Sequence, residues 1–570
     1  MIAAIPPVRA TSDVDGVVRR VKQQARAFTR LTIDERIDLL TTIRREYHQL
    51  AEESVRAACR AKGIDPSGSR AGEEWLAGPM IVIRNLRLLE ESLGEVRRHG
   101  APQIPRSWMR TLPDGRLAIR VFPANKTESV LLPNHQVEVY LQHGVTAENL
   151  RERQASFYRR PHDGRLCAVL GAGNVNAIPP TDALYKMFVE GAVCVLKMNP
   201  VNEYLGPFIE RAFRGLIDRG FFAVVYGGPE VGRALVEHPL TDEIHMTGSD
   251  RTHDAIVWGP TGGEGDERRL RNEPRIRKEI SSELGNITPV IVVPGPYTES
   301  ELRYQGENIA GMVANNASFN CTAAKLLVVP KAWGGREALL EAIERALQKD
   351  APRKAYYPGA EERWRRFTES RNGVRLVGAP NEGELAYAIL PDVDPSHAEE
   401  PAFSREPWCA ILTETRLEGS DAREFLERAV RFLNDRVWGT LAAHLIVHPS
   451  ALADSNVGSA VEKAIRDLRY GTVVVNSWAG AVFGLGSTPW GAHPSSTLAD
   501  IQSGRGWVHN TFMLEGIEKT VMRAPIRSFP PPPWFPGHRT LNALARKLVD
   551  FEMAPSWLKI PSIAATAMRG

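Results

Sequence analysis

Cysteine is scarce and odd in number, five residues in a chain of 570. A disulfide framework is not expected from that count, and reduced thiols of a cytoplasmic protein are the better reading. Long hydrophobic runs are missing too. The longest stretch without Asp, Glu, Lys or Arg runs from Tyr470 to Ala499, but Asn476, Pro489, His493, Pro494 and several glycines interrupt it. A membrane helix is not built that way, so the stretch reads as a strand and a long buried or ligand-facing loop. Met1 to Asp15 is broken by Pro6, Pro7 and charges and lacks the apolar core of a signal peptide. Charge of one sign is absent as well: 71 Lys and Arg stand against 68 Asp and Glu, a net +3. No nucleic-acid partner follows from that balance. There is no CxxC pair, no HExxH and no GxSxG elbow, so neither a metal site nor a serine hydrolase is expected.

What is present is an ordinary globular composition, 43% hydrophobic and 24% charged, with length for three or four domain-sized units. Ile33, Ile37, Leu40, Ile43, Tyr47 and Leu50 recur at helical spacing, and Gly63 follows as a C-terminal cap. A second helix is expected over 72–96, then short β-rich pieces at 117–122 and 137–141. From 165 onward strands and helices alternate: strands at 166–170, 192–197, 221–226 and 243–246, with helices near 181–190, 203–219 and 229–237. This alternation predicts α/β structure with parallel sheets. The charged segment 261–279 reads as a solvated loop. A second α/β stretch has strands at 289–293, 326–329 and 472–476 and a helix over 299–314. The proline cluster 529–536 reads as a stiff linker before an amphipathic helix at 540–551.

Cys59, Cys167, Cys194 and Cys409 lie in apolar helix or strand contexts and read as small buried hydrophobes. Cys321 differs, because it follows the polar, small-residue segment Asn315-Asn316-Ala317-Ser318-Phe319-Asn320. A reactive thiol requires such a reachable setting, though an inert loop residue fits the local sequence equally well. Gly171-Ala172-Gly173 follows a strand but lacks the third glycine of a dinucleotide fingerprint.

Taken together, these pieces resemble the NAD(P)-dependent aldehyde dehydrogenase superfamily, over about 20–525. Gly173-Asn174 opens the series, and 23 residues after Asn174 comes Lys197, ending Gly191-Ala192-Val193-Cys194-Val195-Leu196-Lys197. Met246-Thr247-Gly248-Ser249, Ser282-Glu283-Leu284-Gly285-Asn286, Phe319-Asn320-Cys321, Val475-Asn476 and Pro489-Trp490-Gly491 follow in the family's order. The resemblance implies two Rossmann-type open parallel-sheet domains plus a β bridging element. The cofactor-binding unit would be 1–137 with 166–282, the bridging element 138–165 with 500–525, and the catalytic unit 283–478. The tail 526–570 would lie outside them. It implies Cys321 as nucleophile, Glu283 as general base, Asn174 as oxyanion donor and Lys197 in the working site on the adenosine ribose. Gly248, Ser249, Glu283, Leu284 and Gly285 would line the cofactor, NAD or NADP. The substrate would be a small-molecule aldehyde, and the assembly a homodimer or homotetramer formed by strand exchange; Phe319 beside Cys321 and Trp333, Trp408, Trp478 and Trp490 are compatible with an apolar or aromatic aldehyde, and equally with core packing.

The departures mark a divergent member. His253 replaces a glycine of the pyrophosphate turn, and Pro200 stands where a ribose-binding Glu is common. Asn286 replaces a glycine and Lys325 an arginine. The ribose-binding carboxylate of the catalytic unit falls to Glu400 or Glu406. Gly173-Asn174-Val175 also resembles fatty acyl-CoA reductases of the same superfamily, which leaves a CoA-dependent reaction as the alternative to acid formation. A binding protein that kept the fold is the third reading.

Overall fold

The computed structural model describes residues 13–369 and 371–570; the reading of the first twelve residues lies outside them. Two sheets organise the chain. In the six-stranded one the order is Gly504–Arg505, Glu279–Glu283, Glu243–Thr247, Arg165–Leu170, Ala192–Lys197, Phe222–Val225. The five longer strands are parallel, and Gly504–Arg505 pairs antiparallel at the edge. Strands such as Ala192–Lys197 are buried along their whole length, which explains their unbroken apolar run. The strand order reverses between Arg165–Leu170 and Glu243–Thr247. Open α/β sheets bind ligands at such a switch point, outside the C-terminal strand ends.

The second sheet has eleven strands. Its parallel centre runs Ile517–Arg523, Thr472–Val475, Ala442–Ile446, Thr288–Val292, Ala324–Pro330, Ile411–Leu417 and Tyr387–Leu390. The antiparallel strands Met109–Thr111, Leu117–Phe122 and Gln136–Leu141 extend one end, and Arg375–Val377 closes the other. Leu117–Phe122, expected in the cofactor unit, thus belongs to this sheet. The bridging strand Gln136–Leu141 pairs with Ile517–Arg523, which continues into the chain's own Thr472–Val475.

Local signals hold well where they are strong. Thr32 and Glu35 form a capping box on the helix Ile33–Lys62, and Gly63 closes it with φ 69°. The segment expected as one helix at 72–96 is Ala71–Trp75 and Ile81–His99 joined by a π turn that contains Pro79. That proline cannot donate within the helix ladder. The expected helix at 203–219 breaks into three short turns around Phe213. The charged segment read as a loop contains the helix Glu264–Arg271, carrying the pairs Arg268–Glu264 and Arg271–Glu267 at i,i+4.

The tail is part of the body. The main chain at Trp534 comes so close to Gly311 that a Cβ there would lie 2.3 Å from the Trp534 carbonyl. The helix Leu541–Met553 approaches Gly72 equally closely. Arg84 donates to Glu552 at 2.7 Å, to Glu128, and to the Leu485 carbonyl at 2.7 Å, and Arg87 also binds Glu552. This buried ion cluster ties the tail to the helix Ile81–His99. Among the described residues no helix is long and apolar enough to cross a membrane.

Candidate active site

All five cysteines are free; four are buried and only Cys321 is partly exposed. It faces a cavity of about 310 Å³ together with Asn320 and Thr322. The helix Glu299–Ala314 ends just before it, and the next turn is unusual: Asn316, Ala317 and Ser318 have φ of 52°, 52° and 68°. Non-glycine residues reach that region at a cost of roughly 1–2 kcal/mol each, so surrounding contacts must hold them there.

Those contacts are polar and buried. Lys62 Nζ donates to Glu74 at 2.9 Å, to the Asn316 side-chain oxygen at 3.0 Å and to the Asn174 carbonyl at 3.2 Å. Tyr356 donates its hydroxyl to the same Asn316 oxygen at 2.9 Å. The Asn316 main-chain N–H donates to Glu73 at 3.0 Å, and Glu73 is gripped by Arg353. Lys325 Nζ donates to the Ser318 carbonyl and hydroxyl at 3.0 and 2.7 Å and to Cys409 O at 2.7 Å. Burial pushes the Lys325 pKa down to about 8. For Lys62, burial acts downward, but Glu74 and its neighbours outweigh it and raise the pKa.

Glu283 ends the strand Glu279–Glu283 beside the thiol. Burial pushes its pKa from the ordinary 4.5 up to about 7, and proximity to Cys321 and Trp490 only moderates the rise. Neither carboxyl oxygen makes a well-formed hydrogen bond among the described residues. An uncommitted carboxyl group therefore sits against the thiol. Burial, then Glu283, raise the Cys321 pKa well above the ordinary 9.0, so the resting sulfur is a neutral thiol. The Asn174 side-chain amide donates to the Phe319 carbonyl at 2.9 Å, which brings it to the loop that carries Cys321. Asn176 is occupied elsewhere, donating to Glu74 at 2.9 Å and accepting from Tyr204 at 3.2 Å.

The remaining expected residues line the C-terminal strand ends of the six-stranded sheet. Lys197 ends its strand, and its pKa is lowered by burial while Glu203 and Glu230 act in the opposite sense. Ser249 caps the helix Asp250–Val257 through the Thr252 N–H at 3.2 Å, and the Gly248 N–H donates to the Glu283 carbonyl at 3.0 Å. Leu284 is buried against Met246 and Ile501. A Cβ on Gly285 would lie 2.1 Å from a Glu406 oxygen. That carboxylate accepts from the Asn286 N–H at 3.2 Å, its other oxygen is buried without a partner, and burial pushes its pKa up to about 8. Glu400 instead binds Arg371 and caps the short helix Pro401–Ser404. The orphaned Glu406 oxygen, the Lys197 ammonium and the Ser249 turn fit a dinucleotide laid across the switch point. Among the described residues no group of three or more His, Cys, Asp or Glu could hold a metal ion.

Lys62, Glu73, Glu74, Tyr356 and the cavity's tail wall carry no sequence motif. The adjacent Glu73-Glu74 pair in an otherwise apolar helix was the one available signal.

A two-sheet α/β body with a thiol–carboxylate pair in its interior cleft is the class of protein that fold and site define. The aldehyde dehydrogenase family profile matches residues 135–352. N-succinylglutamate 5-semialdehyde dehydrogenase of Novosphingobium aromaticivorans is 26% identical over 272 residues, 46% of this chain and 51% of that protein. A second such enzyme, from Caulobacter vibrioides, is 27% identical over 202 residues, 35% of this chain and 39% of its own. The chain thus spans about half the length of the curated relatives it matches. Among solved structures, NADP-dependent glyceraldehyde-3-phosphate dehydrogenase from Bacillus halodurans superposes with TM-score 0.59 at 17% identity, covering 90% of this chain and 92% of that one. The NAD-dependent aldehyde dehydrogenase from Sinorhizobium meliloti gives 0.59 at 18%, covering 92% and 89%. Residues 135–352 thus match the aldehyde dehydrogenase family, and the fold over most of the chain is that of aldehyde dehydrogenase structures.

Proposed function

We propose that the protein oxidises an aldehyde to its carboxylic acid with a nicotinamide cofactor, through a thioester on Cys321. The observation that carries this reading is the buried, uncommitted Glu283 carboxylate against the thiol. Glu283 takes the thiol proton, and the sulfur adds to the aldehyde carbonyl. The Asn174 amide and the Cys321 N–H hold the resulting oxyanion of the thiohemiacetal; a donor of this kind is worth about 3 kcal/mol. A bound nicotinamide supplies the hydride acceptor. After losing that first proton to solvent, Glu283 withdraws a proton from water, which attacks the thioester; the acid is released and Glu283 returns the proton to the departing thiolate.

Lys197, Ser249 and Glu406 would hold the cofactor's ribose and phosphate groups. Glu203 and Glu230 beside Lys197 disfavour a further phosphate on that ribose, which supports NAD over NADP. The free thiols support a reducing, cytoplasmic setting. The resemblance carries a homodimer or homotetramer. The seam at Thr472–Val475 is filled by the chain's own Ile517–Arg523, so we propose that copies meet on other surfaces.

Incubation with an aldehyde and NAD, without CoA, tests the reaction. Acid and steady NADH release are expected, and strict dependence on CoA would overturn the hydrolytic step.

A further inference from the structure

The cavity that opens at Cys321 is walled by the tail. Its far lining includes Pro530 to Trp534, Leu544, Leu548, Ile563 and Ala567. Leu544, Ile563, Leu548 and Ala567 belong to one apolar cluster with Phe551 and Ile560. Arg84 is the one permanent cation among the described lining residues. Its guanidinium is already spent on Glu128, Glu552 and the Leu485 carbonyl. No counter-charge is left for a carboxylate or phosphate at the distal end, and an apolar occupant leaves every polar group there paired.

The wall is firmly placed. Trp534 packs on Trp478 with ring centroids 5.7 Å apart, and the Trp478 indole donates to the Thr322 carbonyl at 2.9 Å, one residue beyond the nucleophile. Trp534 also donates to Asn308 at 2.8 Å, on the helix that leads into the nucleophile loop. The proline-rich segment read from sequence as a linker is a channel wall. At about 310 Å³ the space lies at the lower end of the usual range for small-molecule pockets, ~300–1,000 Å³.

We propose that segment 526–570 is a specificity element, which closes the channel around a straight, apolar chain, so that the substrate is an unbranched aliphatic aldehyde without a distal charge. This rests on the aldehyde-oxidising reading above. Each buried methylene contributes about 0.8 kcal/mol, about fourfold in kcat/KM, until the channel is filled.

The test uses the full chain. kcat/KM is measured with NAD for straight-chain aldehydes from propanal to dodecanal, for the native protein and for Leu548→Trp and Ile563→Trp, each checked by circular dichroism. A rise with chain length, with the dodecanal-to-propanal ratio falling at least tenfold in either folded variant, is expected. A flat chain-length profile, or a ratio untouched in both variants, overturns the proposal, as does preference for an aldehyde bearing a second carboxylate. In parallel, 1-dodecanol is titrated into Cys321→Ala protein by tryptophan fluorescence. Binding that weakens in Cys321→Ala/Ile563→Trp supports the channel even if no aldehyde is turned over, in which case only the reaction fails. Absence of dodecanol binding counts against the channel itself.

Discussion

Behind the loop that carries Cys321, Lys62, Asn316 and Tyr356 are joined by hydrogen bonds of 2.9 and 3.0 Å, and the backbone beyond Asn315 sits in a costly conformation. At the far end of the cavity, Leu544, Leu548 and Ile563 pack among other apolar side chains. One end is specified by direction and the other by volume. Directional ties place a sulfur and a carboxylate to within a fraction of an ångström, as chemistry requires. A volume tolerates many sequences and selects only by size and polarity.

The comparison breaks most visibly at the sulfur. Cys321→Ala is expected to lower turnover by roughly 10⁴-fold or more, while apolar ligands still bind at the far end; calorimetric titration and steady-state kinetics check both. Lys62→Met leaves Glu74 buried without its counter-charge and releases Asn316. A loss of about 3–5 kcal/mol is expected in urea unfolding, and the double change Lys62→Met with Glu74→Leu should recover part of it. Asn174→Ala removes an oxyanion donor, and kcat should drop roughly 10²- to 10³-fold with little change in KM.

Glu283 sharpens the contrast through pH. Its folded pKa near 7 exceeds the ordinary 4.5, so the folded chain holds a proton that the unfolded chain releases. That contribution to stability is complete below about 4.5 and is lost as pH rises through 7. Glu283→Gln should therefore stabilise the protein by about 3 kcal/mol near pH 8.5 and not near pH 4, and it should remove the rising limb of activity near pH 7. Thermal melts at both pH values, with a pH–rate profile, decide this. The smallest effect lies at the cofactor side, where Glu230→Gln should raise kcat/KM with NADP several-fold relative to NAD.

Legibility followed the range of the interaction. The capping box at Thr32, the cap at Gly63 and the strand Ala192–Lys197 depend on neighbours a few residues away, and periodicity with turn chemistry reveals them. The odd cysteine was legible because Cys321 alone lies in a polar, small-residue segment. The π turn at Pro79 had a local signal in that proline, which cannot donate within the helix ladder, whereas the break at Phe213 carries none. The contact of Glu406 with Gly285, more than a hundred residues earlier, has no local signal that sets Glu406 apart from Glu400.

By itself the sequence determined the alternation of strands and helices, the order of the motifs, and the one cysteine set apart from the rest. Tertiary structure alone decided that Lys62, 254 residues from Asn316, holds the loop before Cys321, and that a proline-rich tail walls the cavity at that thiol. It also decided that Glu283 titrates near 7. Hydrogen-bond partners across such separations, and the removal of a carboxylate from water, exist only once distant parts of the chain have packed around the same few atoms.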